Sequence, residues 1–187
     1  QYCEEHPERG HTIAFEPLLR HATDEFEETM KVSDQRYVRW RAADGDERLA
    51  WKHLARELAQ TQGRLRKVNA LGFMDQKVMY WDQGKLIAAV DEMIEYLQER
   101  TGDLDFAAER AEKLQRQKEA ALSDNQGSAV ALKDYMRFSQ RRADAISNAV
   151  ATIASFRRTL RRELGRENPE YTSIRWPQAV ASDEPVL

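Results

Sequence analysis

Three residues of metal-ligating types lie together at the start of the chain. Cys3, His6 and His11 form a C-x2-H-x4-H pattern. Thiolate and imidazole are ligands that zinc takes in tetrahedral sites. A structural zinc site needs a fourth ligand, and the sequence offers neither a second cysteine nor a regular helix that would present these three. We therefore interpret this segment as an ordinary polar N-terminus and expect no metal and no cofactor.

A di-iron site is a second candidate in the same segment. Glu8 and His11 have the E-x-x-H spacing that carboxylate-bridged di-iron bundles use on their helices. Those proteins need two such motifs, and this chain has one, placed between Pro7 and Gly10, which disfavour a helix. The pattern therefore excludes a ferritin-like di-metal enzyme.

A third pattern lies further along the chain. Residues 48–53 run from Arg48 to His53 and resemble the R-x4-6-H motif of the HEPN ribonucleases, an all-helical family. The resemblance covers six residues and implies that Arg48 and His53 would cleave RNA in a composite dimer site. Residues five apart do not share one helical face. We therefore keep a HEPN-like ribonuclease as the third hypothesis and predict that the protein is not an enzyme.

The last strong helical pattern ends in a group of arginines. Arg157, Arg158, Arg161 and Arg162 lie within six positions. Such a group binds phosphates or an acidic protein surface, and near a helix C-terminus it also complements the helix macrodipole. No nucleic-acid-binding motif accompanies it. An acidic protein surface is therefore the favoured partner, and nucleic acid is the alternative.

Residues 166–187 contain three prolines and predict an extended tail. The tail also carries Tyr171, Ile174 and Trp176, which a solvated linker would not need. Tyrosine and tryptophan are enriched among the residues that anchor interfaces. We therefore expect the tail to dock on its own bundle or on a partner, with Tyr171 and Trp176, beside the arginines, as partner-binding residues.

These candidates need a helical scaffold, and the chain predicts one. No proline occurs between Pro17 and Pro169, and the interval is rich in Ala, Leu, Glu, Arg, Lys and Gln. Proline inside a helix costs about 3 kcal/mol, so its absence favours long helices. We predict an all-α fold, an elongated helical bundle with antiparallel, coiled-coil-like helices and an extended C-terminal tail.

The pattern divides the chain into four parts. Residues 1–15 are irregular, 16–72 form N-terminal helices with a break at 43–46, 73–165 form a long-helix bundle with a loop at 123–127, and 166–187 form the tail. Apolar residues at a spacing of three or four predict the buried stripes. These are Leu18, Leu19, Ala22, Phe26 and Met30; Trp51, Leu54, Leu58, Thr61, Leu65 and Val68; Leu86, Ile87, Val90, Met93, Ile94 and Leu97; Phe106, Ala107, Ala111, Leu114, Ala121 and Leu122; and Leu132, Tyr135, Ser139, Arg142, Ile146, Ala149, Ile153, Phe156 and Leu160.

Composition limits the class of protein. The net charge is −3, so bulk charge favours neither DNA nor an anionic membrane. A single cysteine permits no intrachain disulfide, and no apolar run is long enough for a transmembrane segment. We expect a soluble protein of a reducing compartment, either cytoplasm or an organelle matrix. Because the chain begins with Gln1, we expect an upstream piece, either a cleaved targeting peptide or part of a longer protein.

Together these observations predict a non-catalytic structural or adaptor subunit. It would join a homo- or hetero-oligomeric protein assembly through helix packing and its docking tail. A nucleic-acid-associated helical protein that uses the arginine-rich helix end is the alternative hypothesis.

Overall fold

A computed structural model describes residues 2–70 and 77–177. Over these residues the chain forms five helices and no strand: α1 Tyr2–Glu5, α2 Gly10–Lys67, α3 Gln83–Glu99, α4 Ala107–Leu164 and α5 Pro169–Ser173. The long helices α2 and α4 pack against each other, so the predicted all-α helical bundle is confirmed. None of the described helices has the length and apolarity needed to cross a membrane.

The two predicted breaks inside the long helices are wrong. Residues 43–46 are helical within α2, and residues 123–127 are helical within α4. A glycine inside a helix costs about 1 kcal/mol relative to alanine. Tertiary packing on either side outweighs that cost, because Trp51 follows the first site and Ala121 and Ser128 flank the second, all of them buried.

The helix ends agree with the sequence only in part. Gly165 ends α4 with a φ of +90°, the left-handed conformation that glycine favours, as expected. Asp82 caps α3 by accepting a hydrogen bond from the Lys85 backbone. The predicted cap at Asp75 and stop at Gly72 lie outside the described residues. The segment predicted as irregular, residues 1–15, contains α1 and the start of α2 instead.

The chain forms two compact units. Unit 1 comprises residues 1–36 and 134–187, and unit 2 comprises residues 37–133. Each unit contains one half of α2 and one half of α4.

Unit 2 has a three-helix core. The stripes predicted on α2, α3 and the start of α4 meet there and are buried, including Thr61 at its heptad position. Of the other predicted members, Ile87, Phe106 and Leu122 are partly buried against this core, and Val68 is 49% exposed at the end of α2. The buried members of the core are Trp51, Leu54, Leu58, Leu65, Leu86, Val90, Met93, Ile94, Leu97, Ala107, Ala111, Leu114 and Ala121.

Unit 1 is built on an antiparallel pair formed by the first half of α2 and the second half of α4. His11 contacts Glu163 at one level, and Arg36 contacts Asp134 at the other. The stripe predicted on α4 is buried at its end, where Phe156 and Leu160 form the centre of a small cluster. The prediction for the earlier part of this stripe is wrong at two positions. Leu132 and Ile146 are exposed, whereas the neighbouring Ala131 and Ala145 are buried.

Candidate functional site

The richest group of polar and aromatic side chains lies where both ends of the described chain meet in unit 1. We call it the end cluster. It comprises Tyr2, Cys3, His6, Arg9, His11, Phe156, Arg157, Glu163, Glu170, Tyr171 and Trp176.

A turn after α4 brings the C-terminal residues of the cluster into place. Gly165 adopts its left-handed conformation, and the Asn168 side chain accepts a hydrogen bond from the Glu170 backbone to cap α5. Tyr171 on α5 is thereby buried against Phe156 and Leu160 of α4. The short helix α5 thus packs on α4 of the same unit.

A chain of hydrogen bonds crosses the cluster. His11 is buried, and its Nδ1 lies 2.6 Å from Oε2 of Glu163. Its Nε2 lies 3.3 Å from the Tyr2 hydroxyl, to which the Arg9 guanidinium donates at 3.3 Å. With the proton on Nδ1, His11 donates to Glu163 and accepts from Tyr2, so each polar group has a partner.

The order carboxylate, imidazole, hydroxyl is that of a catalytic triad. The terminal hydroxyl here belongs to a phenol, and burial raises the pKa of Tyr2 above its ordinary value. A raised pKa disfavours the phenolate. The contacts of His11 with Tyr2 and with Glu163 join α1, α2 and α4.

Arg9 and Glu170 join the two ends of the chain directly. The Arg9 guanidinium contacts both carboxylate oxygens of Glu170, at 2.5 and 2.9 Å. This hydrogen-bonded pairing lowers the pKa of Glu170 and raises the pKa of Arg9. One hydrogen bond, from Arg9 Nη2 to Glu170 Oε1, and the close contact of Nη1 with Oε2 fix α5 to the start of α2.

The predicted partner-binding residues fall into two groups. Tyr171 and Trp176 pack inside unit 1: the Tyr171 hydroxyl accepts from Arg157 at 3.2 Å, and the Arg157 guanidinium lies 5.8 Å from the centre of the Trp176 ring. Of the predicted alternatives for the tail, its described part thus docks on its own bundle, and Tyr171 is not available as an anchor for a partner.

The other group is the remaining arginines. Arg158, Arg161 and Arg162 are exposed on the last turns of α4. The exposed Glu163 follows Arg162 directly, and Glu167 follows the exposed Arg166, so acidic and basic side chains alternate at this end.

The N-terminal cysteine and histidines are engaged in packing. Burial raises the pKa of the Cys3 thiol, which disfavours the thiolate that zinc needs. The His6 ring packs on Tyr2 with 4.7 Å between ring centres, and both His11 nitrogens face polar partners. Within residues 2–70 and 77–177, no three Cys, His, Asp or Glu side chains are grouped to hold a metal ion.

The two residues of the ribonuclease-like pattern lie in unit 2, whereas the end cluster belongs to unit 1. Arg48 forms an ion pair with Asp44 at 3.1 Å, and its side chain is 66% exposed. His53 is exposed on the same helix.

Sequence reasoning missed Tyr2, Arg9, Glu163 and Glu170. The contacts of Glu163 and Glu170 join residues more than 150 positions apart. The E-x-x-H pattern drew attention to His11 but paired it with Glu8 instead of Glu163. Only a signal that relates residues at both ends of the chain could have identified the cluster. A single sequence contains no such signal.

Comparison with known proteins identifies no relative of this chain. No protein-family model matches the chain, no curated protein matches it, and no solved structure matches it.

Proposed function

We propose that this protein is a non-catalytic structural subunit that assembles through helix packing, and that its partner is a second copy of the same chain. The observation that carries the proposal is an under-packed part of unit 1. It consists of residues 22–36 of α2 and residues 134–155 of α4, which we call the two-helix stretch.

The two-helix stretch buries only small side chains. Its buried members are Ala22, Ser33 and Ala145. Unit 2, by contrast, buries large side chains such as Trp51 and Met93 among three helices. Two helices alone cover only one side of each other, so larger apolar side chains between them stay partly in water.

Larger apolar side chains on both helices stay partly exposed, and we call them the apolar surface. Phe26 and Met30 on α2 are half-buried and four residues apart, which puts them on one helical face. Val150 and Ile153 on α4 are half-buried in the same way, and Ile146 is 40% exposed one turn before Val150. Burying an apolar side chain stabilises a structure by about 1.5–3 kcal/mol, so a further helical layer over this surface would be favourable.

The charges of the two helices support a second copy as the occupant. Residues 22–36 contain five acidic and two basic residues, a net charge of −3, whereas residues 134–155 contain three basic and two acidic residues, a net charge of +1. A second two-helix stretch that packs face to face about a two-fold axis parallel to the helices would place each acidic helix against a basic one. Such a surface is self-complementary, as a two-fold interface requires.

The end cluster supports this role from within the subunit. Arg9, Glu170 and the Tyr171 packing hold the end of α4 against the start of α2. We infer that the C-terminal tail serves assembly by fixing this helix pair.

Size-exclusion chromatography with light scattering tests the proposal on the full chain. We expect a species of about twice the 21.7 kDa chain mass at micromolar concentration. Ile146→Glu puts a charge on the apolar surface and should give a monomer. The matched control is Ala151→Glu, because Ala151 is exposed on the same helix and lies about 140° around it from Ile146.

The outcomes separate the possible interfaces. A dimer that persists from 100 to 500 mM salt supports the apolar surface, and a monomer at every concentration and salt overturns the proposal. A wild-type dimer that Ile146→Glu leaves intact, with the circular dichroism spectrum unchanged, places the interface elsewhere and also overturns it.

A further inference from the structure

A groove of about 320 Å³ lies in unit 2, where the chain enters α3. It shares no residue with the end cluster or with the two-helix stretch. Its lining combines aromatic rings with carboxylates, and consists of Asp44, Glu47, Arg48, Trp51, Tyr80, Trp81 and Gln83.

Three aromatic rings form the apolar part of the groove. Trp51 is buried, whereas Trp81 is 64% exposed. The Tyr80 and Trp81 rings lie 5.1 Å apart at 79°, an edge-to-face arrangement that leaves ring surface open to a ligand. An indole so exposed contributes little to the core formed by the described residues of unit 2.

A carboxylate is held beside these rings. Oε1 of Glu47 accepts hydrogen bonds from the Trp51 indole and from the Gln83 amide, each at 3.3 Å. Two donors from different helical segments fix its orientation. With Asp44 and Arg48 included, the charged lining sums to −1, from two acids and one base.

The aromatic surface already accepts a cation from the protein itself. The Lys52 ammonium lies 5.3 Å from the centre of the Tyr80 ring. The faces of aromatic rings carry a negative partial charge that attracts cations and repels anions. The carboxylates and the exposed Trp81 ring therefore favour a cationic ligand with apolar groups that fit against indole and phenol rings.

We propose that the groove binds a methylated ammonium group. Such a group spreads its charge over methyl substituents, so it packs on the Trp81 and Tyr80 rings while its charge is balanced by Glu47. The same chemistry occurs in a free quaternary amine such as choline and in a methylated lysine side chain. This inference does not depend on the proposed assembly role.

Titration of the full chain with choline tests the charge requirement, with tryptophan fluorescence and calorimetry as readouts. The matched control ligand is 3,3-dimethyl-1-butanol, in which carbon replaces the charged nitrogen and the shape is kept. We expect saturable choline binding that is roughly five- to thirtyfold tighter than that of the neutral alcohol. Equal affinity for the two, or no saturable choline binding at tens of millimolar, overturns the proposal.

Variants locate the binding. Trp81→Leu and Glu47→Gln should each weaken choline binding roughly fivefold or more. Glu92→Gln, which removes an exposed carboxylate on α3 outside the groove, should leave it unchanged. Since Trp81 is exposed, its replacement keeps the core intact, and circular dichroism verifies this. Unchanged choline affinity in a folded Trp81→Leu protein overturns the proposal.

A second titration, with peptides, distinguishes a free quaternary amine from a methylated lysine side chain as the ligand. A short peptide with trimethyllysine is compared with the same peptide carrying unmodified lysine. Preference for the trimethyllysine peptide over choline assigns the groove to a modified protein, whereas equal or weaker binding assigns it to a free amine. Both results support the shared chemistry, and both would be lost in Trp81→Leu.

Discussion

Glu57 holds a buried negative charge between α2 and α4 in unit 2. It pairs with the buried Arg110, and Lys113 lies 2.7 Å from its other oxygen. The desolvation of such a pair roughly cancels its attraction, so the pair specifies which side chains meet more than it adds stability. Loss of one partner is different, because it leaves the other charge buried and unbalanced.

We therefore expect Glu57→Ala to lower the free energy of unfolding by about 3–5 kcal/mol, measured by urea denaturation. The double variant Glu57→Leu/Arg110→Leu should recover most of that loss, since it removes both charges and keeps the volume apolar. A loss below about 1 kcal/mol in Glu57→Ala would show that the pair is exposed to water in solution.

Glu170 gives the end cluster its dependence on pH. Pairing with Arg9 lowers the pKa of Glu170 below its ordinary value of 4.5. The folded state thus binds the proton less readily than the unfolded chain. The stability that the pair contributes is present above pH 4.5 and is lost as pH falls through the lowered pKa of the folded state.

We predict that Glu170→Gln lowers the thermal midpoint at pH 6, and that the difference from the wild type shrinks as pH falls from 4.5 toward 3. Melting curves at pH 6, 5, 4 and 3 measure this difference. Glu167→Gln, at an exposed carboxylate in the preceding turn, is the matched control and should show no such convergence. A difference in thermal midpoint that stays constant from pH 6 to pH 3 would contradict the pairing of Glu170 with Arg9.

At the scale of single elements, the continuity of α2 and α4 departs most from the sequence reading. Gly45 and Gly127 lie inside helices, and a Cβ added at either would meet no atom within 4 Å. Gly165 also has open space around it, but its φ of +90° is one that side chains with a Cβ rarely adopt.

We expect Gly45→Ala and Gly127→Ala each to raise the free energy of unfolding by about 0.5–1 kcal/mol, because alanine favours the helix. Gly165→Ala should lower it by about 1–2 kcal/mol, because the turn after α4 needs a left-handed residue. Chemical denaturation of the three variants measures both effects. A lower free energy of unfolding in Gly45→Ala would contradict the continuous helix and favour the break predicted at 43–46.

At the scale of the whole molecule, the apolar core is divided unequally. Unit 2 contains the three-helix core, whereas the two-helix stretch of unit 1 buries no large side chain. Local stability follows the density of buried apolar contacts. The amides of unit 2 should therefore exchange with solvent more slowly than those of the two-helix stretch.

We predict that residues 37–133, produced alone, fold cooperatively into a helical domain. The measurement is a thermal melt followed by circular dichroism, with hydrogen exchange of the full chain as a second readout. Residues 37–133 with Leu54→Ala serve as the control and should lose about 2–5 kcal/mol, since Leu54 is fully buried. A non-cooperative melt of the isolated segment would show that its core needs unit 1.

The fold class and most of the unit 2 core could be predicted from local sequence patterns. Long proline-free segments of strong helix formers favour helices whatever surrounds them, and apolar residues every three or four positions can be buried only on one helical face. That is why Trp51, Leu86 and Leu114 were correctly predicted to be buried. These are local properties, carried by neighbouring residues.

Where the helices continue and which distant side chains meet depend on tertiary contacts. Packing of α2 on α4 outweighed the free-energy cost of Gly45 and Gly127 within the helices. Helix propensity does not include such packing energy. The end cluster arises because antiparallel helices return the chain to its start, so His11 meets Glu163 and Arg9 meets Glu170. Those pairings depend on the register of two long helices, which is set by the sum of all contacts between them and by no single motif.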